Sequence, residues 1–489
     1  MILFRVDANA HIGYGHFYRS LALSEMLSMD FPIIFAMSNP VAGIRRILTD
    51  SKIKLIELPS YDYTTPDERG TSEIPFDLEE HLDNISVVVL DGYWFGAGYQ
   101  KYLSNHPAKV AVIEDKGGGK YYCDLVINQA PLLNKKSYSL RSEQPLFALG
   151  PDFALLRRAF LESARNESRE IGNLNQVLLC FGGSDYYNLT ARVAKVIINE
   201  TNLVLHVVLG HSYLYKDSLT SLMEKHPDRF FIYTNLTGEE IAEKMKGVDI
   251  GVFPSSGILY ESIAIRLPVI SGSYTDNQAN MYHGLKEYGV FVDAHNFEEE
   301  HIRSAFGKVN RGLLKEITSR QAGLIDGHSE KRYRVMFERL VYPDFPKVRK
   351  AKYGDIQQYF EWACDPTVRA NALSNEPLVW ENHLAWFRKK ISSKRSLLLV
   401  IYSSFEIGQI RFDEDDKGYW VIDYSIDKLF RGMGLGLLTV RKGVQHLLSE
   451  IPERKIKAEV KPENSPSIQV FRKMGFDESV RDGMILFTN

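Results

Sequence analysis

Short apolar runs alternate with helical segments from the N-terminus to about residue 342. Residues 1–6 predict a buried strand, and the helix predicted at 16–27 places Leu23, Met26 and Leu27 at i, i+3 and i+4. This alternation is typical of parallel sheets with helices on both faces. Further strands are predicted at 32–36, 53–58, 86–90, 110–113, 125–128, 176–181, 203–210, 230–233, 249–253 and 268–270. We expect two Rossmann-like α/β domains, 1–150 and 151–342, that face each other across a cleft where nucleotide-type ligands bind.

The pattern changes after the break Tyr342-Pro343-Asp344-Phe345-Pro346. Helices are predicted at 355–364 and 383–390, and three successive strands at 397–402, 407–413 and 419–426. Closely spaced strands of this kind predict an antiparallel meander. A long helix, a strand at 459–460 and a final helix that ends at 474–476 follow. We therefore expect a third domain of α+β architecture at 347–489 in a chain that is α/β overall.

Composition narrows the class of function. The 489 residues are 44% hydrophobic and 25% charged, and the net charge of −3 gives no reason to expect nucleic acid or an anionic membrane as a partner. Cys123, Cys180 and Cys364 are isolated, which favours a reducing cytoplasm over a disulfide framework or a zinc site. No signal peptide is predicted, and no apolar run approaches the ~18 residues of a membrane span. We expect a cytoplasmic protein that acts on a small molecule.

The first strand-to-helix turn carries candidate chemistry. Gly13 and Gly15 lack a Cβ, so the backbone there turns sharply and approaches a bound group closely. His16 follows on the first turn of a helix, where the positive end of the dipole disfavours a protonated imidazole and leaves a ring nitrogen free to act as a base. The alternative is a histidine that only stabilises the helix start. Asp91 and Tyr93 follow a later strand, at the sheet edge where α/β proteins collect ligands.

Two further turns indicate a diphosphate. Ser256 and Gly257 begin a helix, so backbone N–H groups and a hydroxyl are available to an anion. Glu261, one turn later, is suited to accept hydrogen bonds from ribose hydroxyls. Gly182-Gly183-Ser184 forms a similar turn. Such turns also begin helices for structural reasons alone, but together they predict a nucleotide-diphosphate site.

A glycine-rich turn also opens a helix in the third domain. In Arg431-x-x-Gly434-x-Gly436, successive N–H groups surround a pyrophosphate. With Asn464-x-x-Ser467 and Lys473-Met474-Gly475-Phe476, it resembles the GNAT-type acetyltransferases over about residues 347–487. The resemblance implies acetyl-CoA as co-substrate, its pyrophosphate held by Arg431, Gly432, Gly434 and Gly436 and its pantetheine arm beside the Asn464–Ser467 segment.

Many members of that family place a tyrosine acid four residues after the position of Ser467. Phe471 stands there, so no acid is assigned. The base for the amine also stays open, with Asp423 and a water chain as candidates.

A second set of motifs spans the first 340 or so residues. It comprises Arg5-x-Asp7, Gly13-x-Gly15-His16-x-x-Arg19, Asp91-x-Tyr93, Gly182-Gly183-Ser184-Asp185, Ser256-Gly257-x-x-x-Glu261 and Asn277-Gln278. These motifs resemble the UDP-sugar hydrolases of pseudaminic acid biosynthesis, which are similar to inverting glycosyltransferases of the two-Rossmann (glycosyltransferase-B) type with water as the acceptor. The resemblance implies that His16 takes a proton from water without any metal, while Asp91 and Tyr93 shape the sugar side. Glu261 would hold the ribose, Ser256 and Gly257 the diphosphate, and the other motif residues the rest of the UDP-sugar.

Both resemblances together imply a bifunctional enzyme. It would acetylate the C4 amine of a UDP-4-amino-4,6-dideoxy-N-acetylhexosamine and then release UDP from the diacetamido sugar. Two alternatives remain open. One is a UDP-sugar-dependent glycosyltransferase fused to an acetyltransferase, and the other is an inactive UDP-sugar sensor whose acetyltransferase modifies a protein.

Overall fold

The computed structural model describes residues 1–9, 12–61, 76–140, 145–166, 168–183, 185–210, 212–373 and 376–489. The chain divides into two units, Met1–Arg334 and Val335–Asn489. The division falls inside one helix, Ser329–Val341. The first unit contains two parallel sheets, and the second unit contains one mixed sheet.

The first parallel sheet and its helices form what we call the first lobe. Its strands are β1 (Ile2–Val6), β2 (Ile33–Ser38), β3 (Lys54–Leu58), β4 (Val87–Asp91), β5 (Lys109–Ile113), β6 (Lys120–Tyr121), β7 (Leu125–Asn128), β8 (Ser139–Leu140) and β9 (Leu146–Leu149), and its helices are α1 (Gly15–Leu27), α2 (Ala42–Asp50) and α3 (Ala97–Leu103). The sheet order is β3-β2-β1-β4-β5-β7-β9, while β6 and β8 pair with each other. Every residue of β1 and β4 is buried, as expected where helices cover both faces of a sheet.

The second parallel sheet and its helices form the second lobe. Its strands are β10 (Gln176–Leu179), β11 (Val204–Leu209), β12 (Phe230–Thr234), β13 (Ile250–Pro254), β14 (Val269–Gly272) and β15 (Val292–Asp293). Its helices are α4 (Arg158–Asn166), α5 (Leu189–Glu200), α6 (Lys216–Lys225), α7 (Gly238–Lys246), α8 (Gly257–Ala264), α9 (Ala279–Tyr288), α10 (Glu299–Lys308) and α11 (Arg311–Ala322), followed by α12 (Ser329–Val341). The sheet order is β12-β11-β10-β13-β14-β15.

Both sheets have the same switch point. The chain builds outward from β1 to β3 and then returns to add β4 on the other side of β1, and β10 and β13 repeat this arrangement. Loops that follow such a strand pair diverge and leave a crevice at the carboxyl ends, where open α/β sheets bind ligands. The turns that carry His16 and Asp91 leave one of these crevices, and those that carry Gly183 and Ser256 leave the other.

The second unit is built around a mixed sheet. Its strands are β16 (Lys347–Lys350), β17 (Ser396–Tyr402), β18 (Glu406–Glu414), β19 (Trp420–Ile426), β20 (Ile456–Val460), β21 (Asp477–Arg481) and β22 (Met484–Thr488). Its helices are α13 (Ile356–Cys364), α14 (Pro366–Asn371), α15 (Trp380–Ile391), α16 (Leu435–Glu450) and α17 (Ser465–Lys473). The sheet order is β16-β17-β18-β19-β20-β22-β21, with antiparallel neighbours except β19 and β20. These two pair in parallel only at Trp420–Ile456 and Val421–Lys457, so their remaining lengths separate.

The predicted fold class is confirmed: two Rossmann-like parallel sheets are followed by an α+β domain that contains the predicted meander β17-β18-β19. The hairpin β21–β22, which follows the final helix, was not predicted. All five residues of β21 are exposed, so this edge strand lacks the alternation of polar and apolar residues that predicts strands. Within the described ranges, no helix has the length and apolar character needed to cross a bilayer.

Candidate active sites

The His16 turn is shaped by two glycines and by Asn9. Gly13 has φ +88°, a left-handed conformation that favours glycine, and its N–H donates to the Asn9 carbonyl over 2.8 Å. Gly15 then begins α1. His16 therefore lies on the first turn of α1, at the carboxyl end of β1 and next to the end of β4, where Asp91 is the last residue.

His16 and Asp91 form a hydrogen-bonded pair. Nδ1 of His16 lies 2.6 Å from Oδ1 of Asp91, and both side chains are buried. Arg19 donates to both Asp91 oxygens over 2.6 and 2.7 Å, and the Ser20 hydroxyl donates over 3.0 Å. Burial alone would raise the pKa of Asp91, but Arg19 and His16 outweigh it and lower this pKa below its ordinary value. Ionised Asp91 accepts the proton of Nδ1, which orients the ring, and in the neutral imidazole with this tautomer Nε2 is the acceptor nitrogen.

Asp115 and Tyr93 extend the pair toward solvent. Arg19 donates to Oδ1 of Asp115 over 2.5 Å, and the Tyr93 hydroxyl donates to its Oδ2 over 2.8 Å. Burial and then the Asp115 carboxylate raise the pKa of Tyr93, so its phenol stays protonated at neutral pH. The Tyr93 ring meets the His16 ring edge-on at 5.0 Å and is 38% exposed. Asp115 was not predicted, although it follows β5 at the same sheet edge.

Arg5 and Asp7 form a buried hydrogen-bonded group with Asp77. Both are fully buried, and Arg5 donates to Asp7 over 2.7 Å and to Asp77 over 2.8 Å. Tyr99 donates to Asp77 as well, and the Ser38 N–H donates to Asp7 over 2.6 Å. The Arg5–Asp7 motif therefore holds β1 to its neighbours, and neither head group reaches solvent.

The second lobe presents the start of α8. Ser256 is its N-terminal capping residue, yet the serine hydroxyl makes no capping hydrogen bond within the described chain, and Gly257 is exposed. Glu261 is 9% exposed, and its two carboxylate oxygens accept from Arg157 over 2.8 Å each. The bidentate partner Arg157 was not predicted. Its position just before α4 carries no sequence signal for this pairing.

The Gly182–Gly183 turn faces the first lobe. A Cβ on Gly183 would lie 2.8 Å from the Tyr14 ring, and the Tyr14 hydroxyl is 2.9 Å from the Ser212 hydroxyl. Ser184, a predicted site residue, lies outside the described residues. Asp185 is buried and accepts from the N–H groups of Leu189 and Thr190 at the start of α5, so its carboxylate caps that helix.

The single turn Asp276–Gln278 reaches the first lobe. The Asn277 side chain lies near the Tyr93 phenol, where it opposes the rise in the pKa of Tyr93. Gln278 is buried and accepts from the Tyr274 N–H over 3.2 Å. Asn280, which was not predicted, donates to the backbone carbonyls of Asp115 and Lys116 over 2.8 Å each. The structure thus brings His16, Arg19, Asp91, Tyr93 and Asn277 together and leaves Arg5, Asp7, Asp185 and Gln278 in structural contacts.

The glycine-rich turn of the second unit precedes α16. Gly432 and Gly434 have φ +78° and +73°, and in the described structure no heavy atom lies within 4 Å of where a Cβ on Gly432 would be. Gly436 packs against Val470 and Tyr424. The open turn at a helix N-terminus fits a phosphate group. Arg431, however, donates to Asp365 over 2.8 Å and to the Ile426 carbonyl over 3.1 Å.

Asn464 and Ser467 lie beside the separated strands β19 and β20. Asn464 caps α17 by accepting from the Ser467 N–H over 3.3 Å, and the Ser467 hydroxyl lies 3.2 Å from the Tyr424 hydroxyl. Tyr424 thus brings a phenol close to the position where Phe471 stands, with the two rings 6.1 Å apart. Asp423, a candidate base, is hydrogen-bonded by Gln409 over 3.0 Å and paired with Arg411 over 3.2 Å.

One group of potential metal ligands occurs in the described chain. Glu298, Glu300 and His301 offer ligand atoms within 4.8 Å of one another at the start of α10. Both carboxylates are exposed, and negative charge at a helix start is favourable without a metal. We assign no ion to them.

Comparisons with known proteins give different relatives for the two units. Residues 347–477 match the family described as Acetyltransferase (GNAT) domain. The C-terminal region is a GNAT acetyltransferase domain. This match supports enzyme status and agrees with acetyl-CoA as a co-substrate.

Two relatives cover the first unit. The chain is 23% identical to the Methanocaldococcus jannaschii protein named Uncharacterized protein MJ1062, across 97% of this chain and 96% of that one. It is also 23% identical to the UDP-2,4-diacetamido-2,4,6-trideoxy-beta-L-altropyranose hydrolase of Campylobacter jejuni, across 60% of this chain and 98% of the hydrolase. The structure of Acinetobacter baumannii MurG aligns with 69% of this chain and 99% of MurG, at 13% identity and a TM-score of 0.47. By the match to the Campylobacter protein, the N-terminal region resembles a UDP-sugar hydrolase.

Proposed function

We propose that the chain is a bifunctional enzyme of pseudaminic acid (nonulosonate) biosynthesis. The acetyltransferase domain moves an acetyl group from acetyl-CoA to the C4 amine of a UDP-4-amino-4,6-dideoxy-N-acetylhexosamine. The first unit then hydrolyses the UDP-2,4-diacetamido-2,4,6-trideoxy sugar and releases UDP. The name of the Campylobacter relative supports this substrate. The observation that carries the hydrolytic half is the buried His16–Asp91 hydrogen bond at a sheet switch point.

In the hydrolytic step, His16 acts as a general base. Nε2 accepts a proton from water while the water oxygen forms a bond to the anomeric carbon of the sugar. The bond between that carbon and the diphosphate oxygen breaks, and its electron pair leaves with UDP. Asp91 keeps the ring in the productive tautomer and stabilises the imidazolium that forms, as the carboxylate does in other acid–base triads. A positioned base of this kind contributes about 10²- to 10⁴-fold to the rate.

The second lobe holds the leaving group. The Gly257 N–H and the Ser256 hydroxyl, which makes no capping hydrogen bond in the described chain, bind the diphosphate at the helix start and stabilise the departing charge without a metal. Arg157 fixes the orientation of Glu261. Because a carboxylate has about four lone-pair sites, Glu261 still accepts hydrogen bonds from the ribose hydroxyls. Tyr93, hydrogen-bonded to Asp115 and 38% exposed, faces the sugar.

In the acetyl-transfer step, the open Gly432–Gly436 turn binds the phosphates of acetyl-CoA through backbone N–H groups. The thioester chain runs into the gap between β19 and β20, beside Ser467 and Tyr424. The amine nitrogen forms a bond to the acetyl carbon, and the carbon–sulfur bond breaks. The proton that the nitrogen loses is balanced by the proton that the thiolate takes up, so CoA leaves as a thiol.

The test is a product analysis with the full chain. The UDP-4-amino sugar and acetyl-CoA are supplied without any sugar or lipid acceptor, and mass spectrometry follows the products. We expect the N-acetylated sugar nucleotide first, and then free diacetamido sugar and UDP. UDP release that requires an added acceptor would make the first unit a glycosyltransferase. UDP binding without turnover would make it a sensor. Either result overturns the hydrolase assignment.

A further inference from the structure

Arg339 lies directly against the glycine-rich turn of the acetyltransferase domain. It belongs to the part of α12 that is included in the second unit. Its Nη1 donates to the Met433 carbonyl over 2.8 Å, and the same nitrogen lies 3.6 Å from where a Cβ on Gly434 would be. The guanidinium therefore borders the space at the start of α16.

The charge of Arg339 has no carboxylate partner among the residues that the structure describes. Burial lowers the pKa of Arg339, yet an arginine keeps its charge in proteins. Arg5, Arg19, Arg157, Arg332 and Arg334, by contrast, are each paired with an acid. A half-buried cation without a counter-charge is unfavourable, so this position favours an anion from outside the chain.

The arginine of the turn itself is already neutralised. Arg431 directs Nη2 to Asp365 over 2.8 Å and Nε to the Ile426 carbonyl. Arg339 uses one of its five N–H donors on Met433, which leaves the others for a planar, multi-oxygen partner such as a phosphate. Two observations thus meet at this turn: open backbone at Gly432 and an uncompensated guanidinium.

We propose that Arg339 binds the diphosphate of CoA together with the backbone N–H groups of residues 432–436. The proposal rests on the acetyltransferase function proposed above. It adds a charged contact that lies outside the glycine-rich motif, about 90 residues upstream in the chain.

The experiment measures CoA and dephospho-CoA binding to the full chain by calorimetry. Arg339→Gln removes the charge but keeps a donor for the Met433 carbonyl. Since a charge-assisted hydrogen bond is worth roughly a factor of ten or more in affinity, we expect about tenfold weaker binding of both ligands. Arg388→Gln, which removes an exposed positive charge from α15, should leave both affinities unchanged.

Each other outcome overturns the proposal. Unchanged binding removes Arg339 from the site, and a loss for CoA alone moves the contact to the 3′-phosphate. If Arg339→Gln lacks the native circular dichroism spectrum, Arg339→Lys is measured in its place. Lysine keeps the positive charge but lacks the planar guanidinium group. We then expect a loss of about two- to fivefold for both ligands, against none for Arg388→Lys. Native protein that binds no CoA at all would refute the acetyltransferase function instead.

Discussion

The two candidate sites differ in whether their charged side chains have partners of opposite charge within the protein. Around His16, buried charged side chains of the described chain are paired within the protein, because Arg19 contacts Asp91 and Asp115, and Arg157 is paired with Glu261 in the second lobe. At the glycine-rich turn, Arg339 has no acid partner in the described chain and the backbone at Gly432 is open. The first arrangement holds a reacting group in place, whereas the second supplies space and positive charge to an anion. The comparison teaches that a general base held in a fixed position needs counter-charges within the protein, whereas in a phosphate site the ligand supplies the negative charge.

The largest effect is expected from His16→Ala. The base is lost, so UDP release should fall by about 10³-fold or more, while acetyl transfer continues. Coupled-enzyme detection of UDP and mass spectrometry of the acetylated sugar measure the two activities separately. His106→Ala, which removes a part-exposed imidazole from the same unit, serves as the control. Hydrolysis within a few-fold of the native rate would reduce His16 to a residue that stabilises the helix start.

Asp91→Asn should be the next most damaging change. The amide retains the shape of the carboxylate but no longer selects the Nδ1–H tautomer or stabilises imidazolium, so we expect kcat for hydrolysis to fall about 10²- to 10³-fold. KM should change little, because Asp91 touches His16 and not the sugar nucleotide. Asp83→Asn, at an exposed position of the same unit, is the control. A rise in KM with normal kcat would contradict this role.

Gly434→Glu tests the other side of the comparison. The φ of +73° strains any side chain, and a carboxylate beside Arg339 would occupy the place of the phosphates. Because like charges at close range cost several kcal/mol, CoA binding should weaken by about a hundredfold, with UDP release from a pre-acetylated substrate unchanged. Gly483→Glu is matched to it, since Gly483 has φ +75° and open surroundings in the described chain. Equal CoA binding by both variants would mean that the turn holds no phosphate.

The smallest effect is expected for Asp365→Asn, which removes the ion pair between Asp365 and Arg431. Burial alone would raise the pKa of Asp365, but Arg431 and the N–H groups of Val368 and Thr367 lower it below the ordinary 3.8. A carboxyl whose pKa is lowered on folding stabilises the fold above its unfolded pKa, and this contribution is lost as the pH falls through the folded pKa. Asp365→Asn should therefore cost at most about 1 kcal/mol near neutral pH, since solvent screens such a pair.

Urea unfolding of the native protein and of Asp365→Asn at several pH values measures the difference in their free energies of unfolding. It should shrink as the pH drops below about 4, where the aspartate begins to protonate. A difference that stays constant down to pH 2 would show that asparagine changes something other than the ion pair.

Sequence patterns predicted the architecture well because buried parallel strands have a strong signature. β1 and β4 are runs of apolar residues that end at a turn, and both turns were singled out for that reason. The contact between His16 and Asp91 was beyond such patterns. It depends on β4 returning to lie beside β1, a crossover that joins residues 75 positions apart.

The partners of the predicted residues were hardest to anticipate. Arg157 and Arg339 each lie about a hundred residues from the group they contact, in segments with no motif. The Arg5–Asp7 motif shows the opposite problem. Its charged pair suggested a ligand site, but Arg5 and Asp7 are both fully buried, and Arg5 is paired with Asp7 and Asp77 within the protein.

The contacts of Asn280 connect the second lobe to the residues that orient the His16 imidazole. The side-chain amide of Asn280 donates to the backbone carbonyls of Asp115 and Lys116. Arg19 is paired with Asp115 and also with Asp91, the residue that is hydrogen-bonded to His16. The start of α9 in the second lobe is thereby connected, through the Asp115 loop, Arg19 and Asp91, to the imidazole of His16 in the first lobe.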